Sequence, residues 1–331
     1  MDNYQDIIKD FALSNDNVIV FTAENRAVVR ELPPILKERF IDVGITEQNM
    51  IAMAAGMALR GNLPICHALS NFLLFRAYEF IRNDVGIANL PVKLSGWIPG
   101  FLSDGNGPTH QSLEDVGIMR LIPNMEIYCP SDNEDMCAML ETIWKSPNPS
   151  YLRVNPRPAR ISHSQDFEIG KAEVLSEGKD ITLLVYGFLL EEVLITKELL
   201  EKDGLKVGLI NMRSLSPIDK DCVLNLAENT SKLVTIEDHF GVGGLYSIVS
   251  ELFLNAGKTM PVQQISMGNR WFKPGLLDEV LDFEGSDFMY ITQTENLDIL
   301  ENRPKEKSWY RFGFDGKRNI YIVNDYKLGI R

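Results

Sequence analysis

Short runs rich in β-branched and aromatic residues alternate with helix-forming stretches along most of the chain, and this alternation restricts the fold more than any other feature. In the first half, strand patterns occupy residues 17–23 (NVIVFTA), 63–69 (LPICHAL), 91–96, 125–130 and 151–154. Helical patterns lie between them at 46–60, 72–86, 112–121 and 132–145. Strands separated by helices cannot close as tight hairpins, so the expected class is α/β, with a mainly parallel sheet covered on both faces. Residues 155–170 carry two prolines and then a polar run, which marks a linker. The alternation then restarts, with strands at 180–187, 206–212, 232–238 and 262–268. Helices are expected at 189–203, 219–228, 243–255 and 273–281. The reading is two doubly wound domains, residues 1–160 and 161–302, followed by an aromatic and basic tail, 303–331, that suits a small hairpin packed on the body or on a partner.

The 331 residues suffice for two such cores, and 45% hydrophobic with 24% charged residues is ordinary for a globular protein. A net charge of −13, without a block of Lys or Arg, argues against a nucleic-acid or anionic-membrane surface. Cys66, Cys129, Cys137 and Cys222 are scattered with no C-x-x-C pair, as expected of buried thiols in a reducing compartment. The acidic, amphipathic N-terminus is not expected to be a leader peptide, and no apolar run reaches membrane-spanning length. A cytoplasmic location is expected.

The stretch IDVGITEQNMIAMAAGMALRG, residues 41–61, places Glu47 at the mouth of a helix that is apolar nearly all round. Such a helix should be buried, with Thr46 as its N-cap. A carboxylate at its edge needs a partner or is held partly neutral, unless it is simply a first-turn acid reaching solvent. Phe72, Phe75 and Tyr78 follow at i, i+3 and i+6, one face of an α-helix. They read either as core or as an aromatic wall for a flat heteroaromatic ligand.

The run DGNGP delivers His110 at the end of a tight loop, where Asp104, Asn106 and Gln111 make a polar rim. A loop histidine suits proton transfer, or is an idle surface residue. Arg153, ending a strand, suits an anionic substrate group or an acid of the same chain. GVGGL before a helix is a weak anion cradle. No dinucleotide fingerprint, P-loop, nucleophile elbow or metal-ligand spacing occurs.

Together, RFIDVGITEQNMIAMAAGMA, FLLFRAY, GNGPTHQSLEDVGIMRLIPNMEIYCPSDNEDM, GKAEVLSEGKDITLLVYG and TIEDHFGVGGL resemble the transketolase family, in its order and near its spacing, over roughly residues 15–300. The resemblance implies a pyrimidine-binding domain followed by a transketolase C-terminal domain. It also implies thiamine diphosphate as cofactor and transfer of a two-carbon ketol unit from a ketose to an aldehyde. Glu47 is then the glutamate bonding N1′ of the cofactor's aminopyrimidine, and Phe72, Phe75 and Tyr78 the wall stacking on that ring. His110 faces the reacting carbonyl or hydroxyl, Asn106 reads a substrate hydroxyl, and Arg153 holds the substrate's phosphate end.

The sequence departs from the family in three ways. It has no GDG motif with a downstream Asn, so Mg2+ and the diphosphate fall to a separate subunit with the diphosphate-binding domain. This is the pattern of the small subunit of a split transketolase, expected as two copies of each chain. Asn106 replaces the aspartate of the GDGPTH loop. The family's further contacts to a sugar phosphate find no match, and Thr22–Ala23–Glu24 replaces Ser-Ala-Asp. A modified or nucleotide-linked sugar is therefore expected. The competing readings are the β-subunit of a 2-oxo-acid dehydrogenase, a 1-deoxyxylulose-phosphate synthase-like enzyme, and a non-catalytic scaffold.

Overall fold

The computed structural model of the chain describes residues 3–268, 270–272, 274–275, 311–314 and 320–323. The amphipathic N-terminus forms α1 (Tyr4–Ser14), capped by the Asn3 side chain, which accepts from the Asp6 amide. Its apolar face, Tyr4, Ile8, Phe11 and Ala12, is buried. The Tyr4 hydroxyl meets His67 Nε2 at 2.7 Å and Ser95 Oγ at 2.9 Å, anchoring the helix to the sheet beneath. Burial lowers the His67 pKa to about 4, so that ring is neutral.

The first half then runs β1 (Val18–Thr22), α2 (Pro33–Leu36), β2 (Phe40–Asp42), α3 (Glu47–Leu59) and β3 (Leu63–Leu69). A helix over 72–86 follows, with α4 (Tyr78–Phe80) as its α-helical centre, and then β4 (Lys93–Trp97) and α5 (Asp115–Met119). β5 (Glu126–Tyr128), α6 (Asn133–Lys145) and β6 (Ser150–Val154) complete it. The second half carries β7 (Glu173–Ser176), β8 (Ile181–Val185), α7 (Leu190–Lys202), β9 (Val207–Asn211), β10 (Ser214–Ser216) and α8 (Lys220–Asn229). It continues through β11 (Leu233–Ile236), α9 (Leu245–Asn255) and β12 (Val262–Ile265). In the tail, β13 (Arg311–Phe314) and β14 (Ile320–Val323) pair antiparallel. The helix expected at 273–281 lies outside the described residues.

Two mostly parallel sheets result, with strand orders β10-β5-β6-β4-β3-β1-β2 and β12-β11-β8-β9-β7. Every pairing is parallel except β10 on β5 and β7 on β9. β10 comes from the second half and edges the first sheet, so the two halves share more than a linker. Pairing of the short β10 needs the tertiary fold to bring it to β5, and its own pattern is too brief to announce it.

The strands β1 and β6 are buried on both faces. Val18 and Val20 pack toward α1 and α6, whereas Ile19 and Phe21 pack toward α3, as the two-residue period of a strand requires. Each such side chain stabilises the fold by about 1.5–3 kcal/mol. The linker is held by charge. His163 donates between Asp132 (2.7 Å) and Glu173 (2.8 Å), and Arg213 contacts Asp135 (2.6 Å) and Glu173 (3.1 Å). Burial opposes the His163 charge, but its two carboxylate partners prevail and raise its pKa to about 10.

Candidate active site

In parallel α/β sheets, ligands bind beyond the carboxyl ends of the strands. Glu47 follows β2, Phe72 follows β3 and His110 follows β4, so the three lie on loops and helix starts at that one edge.

Glu47 opens α3 and is only 1% exposed. Its Oε2 accepts a 2.7 Å hydrogen bond from Nη1 of Arg76, so the expected partner exists and comes from the chain itself. The expected Thr46 cap is not made. Its hydroxyl donates instead to the Val43 carbonyl at 2.8 Å, because the residue is turned away from the first helical amides. The helix is not covered all round either. Met50, Ile51, Ala54, Ala55 and Ala58 are buried, while Ala52, Gly56 and Leu59 are exposed, Leu59 by 70%. The apolar pattern of α3 is two-sided, and the chain alone covers one side.

The aromatic run does not form the α-helical stripe that its spacing suggests. Residues Phe72–Arg76 make a π-helical turn, whose i→i+5 bonding widens the helix, so residues three apart no longer share a face. Phe72 meets the His110 ring edge-on, centroids 4.8 Å apart, and carries the Arg76 guanidinium 4.4 Å above its own centroid. Phe75 is half-buried. The Tyr78 ring packs on the core, and its hydroxyl donates to the Ile118 carbonyl at 3.0 Å, which commits it to holding α5.

His110 sits after 3₁₀ turns over Phe101–Thr109, in place of the expected irregular loop. Its Nδ1 shares a 2.9 Å hydrogen bond with the Thr109 hydroxyl. The Asn71 amide donates to the Thr109 carbonyl, joining this segment to the start of the 72–86 helix. Asn106 is exposed and donates to the Ser103 carbonyl at 3.3 Å. Gln111 is not on the rim: it is 2% exposed, and both its amide atoms lack hydrogen-bond partners.

Arg153 does not stand open to a substrate anion. It is 3% exposed; its Nε donates to Asp115 (2.9 Å), and Nη1 and Nη2 donate to Asp238 (2.7 and 3.1 Å). Both carboxylates are buried, and together they engage all three nitrogens of the guanidinium. A Cβ on Gly100 would collide with this pair, so the loop before His110 can pass only as glycine. The second arm of the network, Asp238, lies 85 residues away, and no local signal announces it.

GVGGL does cradle an anion, but an internal one. The buried Glu237 carboxylate accepts from the amides of Leu245 (2.6 Å) and Tyr246 (3.1 Å) at the start of α9. Burial raises the Glu237 pKa to about 7 against the pull of those amides.

The geometry thus joins Glu47, Arg76, Phe72, His110 and Thr109 by direct contacts at one strand edge. Arg76 carries little signal in the sequence, where it is one of two arginines in the helical run 72–86.

A doubly wound domain carrying a buried glutamate and an aromatic face at its strand edge, followed by a second α/β domain, is an architecture with known relatives. Residues 5–159 match the family model described as transketolase, pyrimidine binding domain, and residues 170–287 match transketolase, C-terminal domain. The chain belongs to the transketolase family. It is 35% identical to the 6-deoxy-6-sulfo-D-fructose transketolase subunit SqwH of Clostridium sp. (strain MSTE9), over 84% of this chain and 87% of that one. It is 36% identical to the 1-deoxy-D-xylulose-5-phosphate synthase of Acidobacterium capsulatum, over 80% of this chain but only 43% of that longer protein. A solved structure described as a split gene transketolase, inactive beta4 tetramer, superposes with a TM-score of 0.73 at 30% identity, covering 80% of this chain and 88% of that one. Among the described residues, no helix is long and apolar enough to cross a membrane.

Proposed function

We propose that the chain is the small subunit of a split thiamine-diphosphate-dependent transketolase. It moves a two-carbon ketol unit from a ketose to an aldehyde, and a partner subunit supplies the diphosphate-binding domain and Mg2+. The observation that carries this is Glu47: a carboxylate withdrawn from water, at the strand edge, linked through Arg76 to the face of Phe72. A carboxylate acceptor beside a flat aromatic face suits an aminopyrimidine, whose protonated ring nitrogen donates to the one while its face stacks on the other.

Bound there, the cofactor supplies a carbon nucleophile and an electron sink for the two-carbon unit. Glu47 holds the ring-nitrogen proton, and its desolvation strengthens that hydrogen bond. Phe72 orients the ring, with Tyr78 fixing the helix behind it. His110 keeps Nε2 free for a proton of the reacting hydroxyl, because Thr109 engages Nδ1. Asn106 meets a substrate hydroxyl at the rim. Arg153, held by Asp115 and Asp238, acts as a strut between the halves.

The uncovered side of α3 supports a partner chain, and two copies of each is the expected assembly. The division at about residue 160, with a separate tail from 303, belongs to the same reading. The loss of the family's phosphate contacts supports a modified sugar as substrate, and a relative named for a sulfo-sugar supports it further.

The test is calorimetric titration of thiamine diphosphate with Mg2+ into this chain alone and into its mixture with the partner chain. Binding only in the mixture, lost with Glu47→Ala, is expected; tight binding by the isolated chain would overturn the split site. The synthase relatives favour one second reading, a decarboxylative acyloin condensation in which pyruvate releases CO2 and its remaining two carbons join an aldehyde. Turnover of pyruvate, with no turnover of ketose donors, would select it.

A further inference from the structure

Arg76 makes both contacts that an aminopyrimidine would make. Its Nη1 donates to Glu47 Oε2 at 2.7 Å, and its guanidinium carbon lies 4.4 Å over the Phe72 ring. A guanidinium is planar and conjugated, with N–H donors in its plane and a face that stacks on aromatics. An aminopyrimidine is likewise flat, and its ring nitrogen, once protonated, donates one in-plane N–H to a carboxylate while its face stacks on an aromatic ring.

We propose that Arg76 is a built-in stand-in for the pyrimidine ring, pairing Glu47 and covering Phe72 until the cofactor displaces it. This rests on the thiamine-diphosphate reading above.

Three features of the site fit a group made to leave. The Glu47 side chain is 2% exposed and stays in place, whereas that of Arg76 is 36% exposed and reaches solvent by rotation about its own stem. Arg76 makes no other hydrogen bond among the described residues, so one bond and one stacking contact hold it. It is the last residue of the π-helical turn Phe72–Arg76, a widened geometry often found at functional sites. His110 meets Phe72 in a T-shaped ring contact that does not involve the guanidinium.

The placeholder has a function on physical grounds. A buried carboxylate with no counter-charge is costly, and a neighbouring cation keeps Glu47 ionised, desolvated and aimed while the site waits. The consequence is a reduced apparent affinity, because the competent state is only a fraction of the unloaded protein.

The experiment uses the assembled two-chain protein and thiamine diphosphate with Mg2+. Arg76→Leu keeps the apolar stem and removes the cation. It should bind the cofactor about ten-fold more tightly than the wild type. Arg76→Lys, which keeps the charge without the planar fork, should fall between the two and guards against loss of folding in the first variant. A second readout needs no turnover. In the wild-type chain the Arg76 Nε–H resonance should be displaced by the Phe72 ring current, and should return to the solvent-exposed position when the cofactor is added. Unchanged or weakened binding in Arg76→Leu, or an Arg76 resonance that the cofactor does not move, would overturn the stand-in alone. Absence of cofactor binding in wild type and variants alike would remove the thiamine-diphosphate reading and the stand-in together.

Discussion

Arg153 and Asp238 form a two-pronged ion pair, 2.7 and 3.1 Å, that ties the last parallel strand of the first half to the loop after β11. With Asp115 on its Nε, the arginine balances two buried carboxylates across the boundary between the halves.

Replacing it should therefore cost stability first. Arg153→Met leaves Asp115 and Asp238 buried without a counter-charge, a loss of about 3–5 kcal/mol. Urea unfolding measures this. A normal unfolding midpoint combined with a selective rise in substrate KM would restore Arg153 to the substrate site.

His163 should make stability depend on pH. Its folded pKa, about 10, lies above its ordinary value of 6.5, so its contribution is complete below about pH 6.5 and disappears as pH rises through 10. Glu173 is the other half of the same coupled pair. Burial raises its pKa, but the bond from His163 and those from Ser164 and Asn211 outweigh burial and bring it down to about 2. That part is present above about pH 4.5 and is lost as pH falls through 2. The stability gap between wild type and His163→Gln should be about 2 kcal/mol at pH 6 and should close by pH 10. Denaturation at pH 6, 8 and 10 reads it; a gap that widens with pH has the wrong sign.

Phe72 and Tyr78, which the spacing treats as equivalent, should separate. Phe72→Ala removes the face under Arg76 and the contact to His110, and should weaken cofactor binding by ten-fold or more, from about 1.5 kcal/mol of lost stacking. Tyr78→Phe deletes one hydrogen bond to the Ile118 carbonyl, costs about 1 kcal/mol of stability and leaves affinity unchanged. Paired calorimetry and thermal unfolding of the two variants decide the matter.

Glu237 should act as a helix cap. Glu237→Ala leaves the buried amide of Leu245 and the half-buried amide of Tyr246 unpaired, at about 1–3 kcal/mol, while Glu237→Gln keeps an acceptor and loses less. Hydrogen exchange at the first turn of α9 should accelerate in the alanine variant; unchanged protection there would show that the cap contributes nothing.

Much of this architecture could be read from sequence because its signals are local. The strands at 18–22, 63–69 and 181–185 are apolar runs bounded by polar or turn-forming residues, and α6 and α8 start at Asp132 and Asp219, whose side chains cap the first turn. Family motifs placed Glu47, Phe72 and His110 near one another. Their contacts were not legible, since a period of 3.6 residues assumes an α-helix and residues 72–76 are π-helical.

By itself the sequence determined the alternation of strand and helix, the two-sheet class and the carboxylate at the start of α3, because propensity, capping and periodicity act over a few residues. Tertiary structure alone decided which charges meet. Arg153 finds Asp238, Glu47 finds Arg76, and Glu237 fills the GVGGL cradle. Each buried charge must have a partner, and which partner it takes depends on what the folded chain brings within about 3 Å.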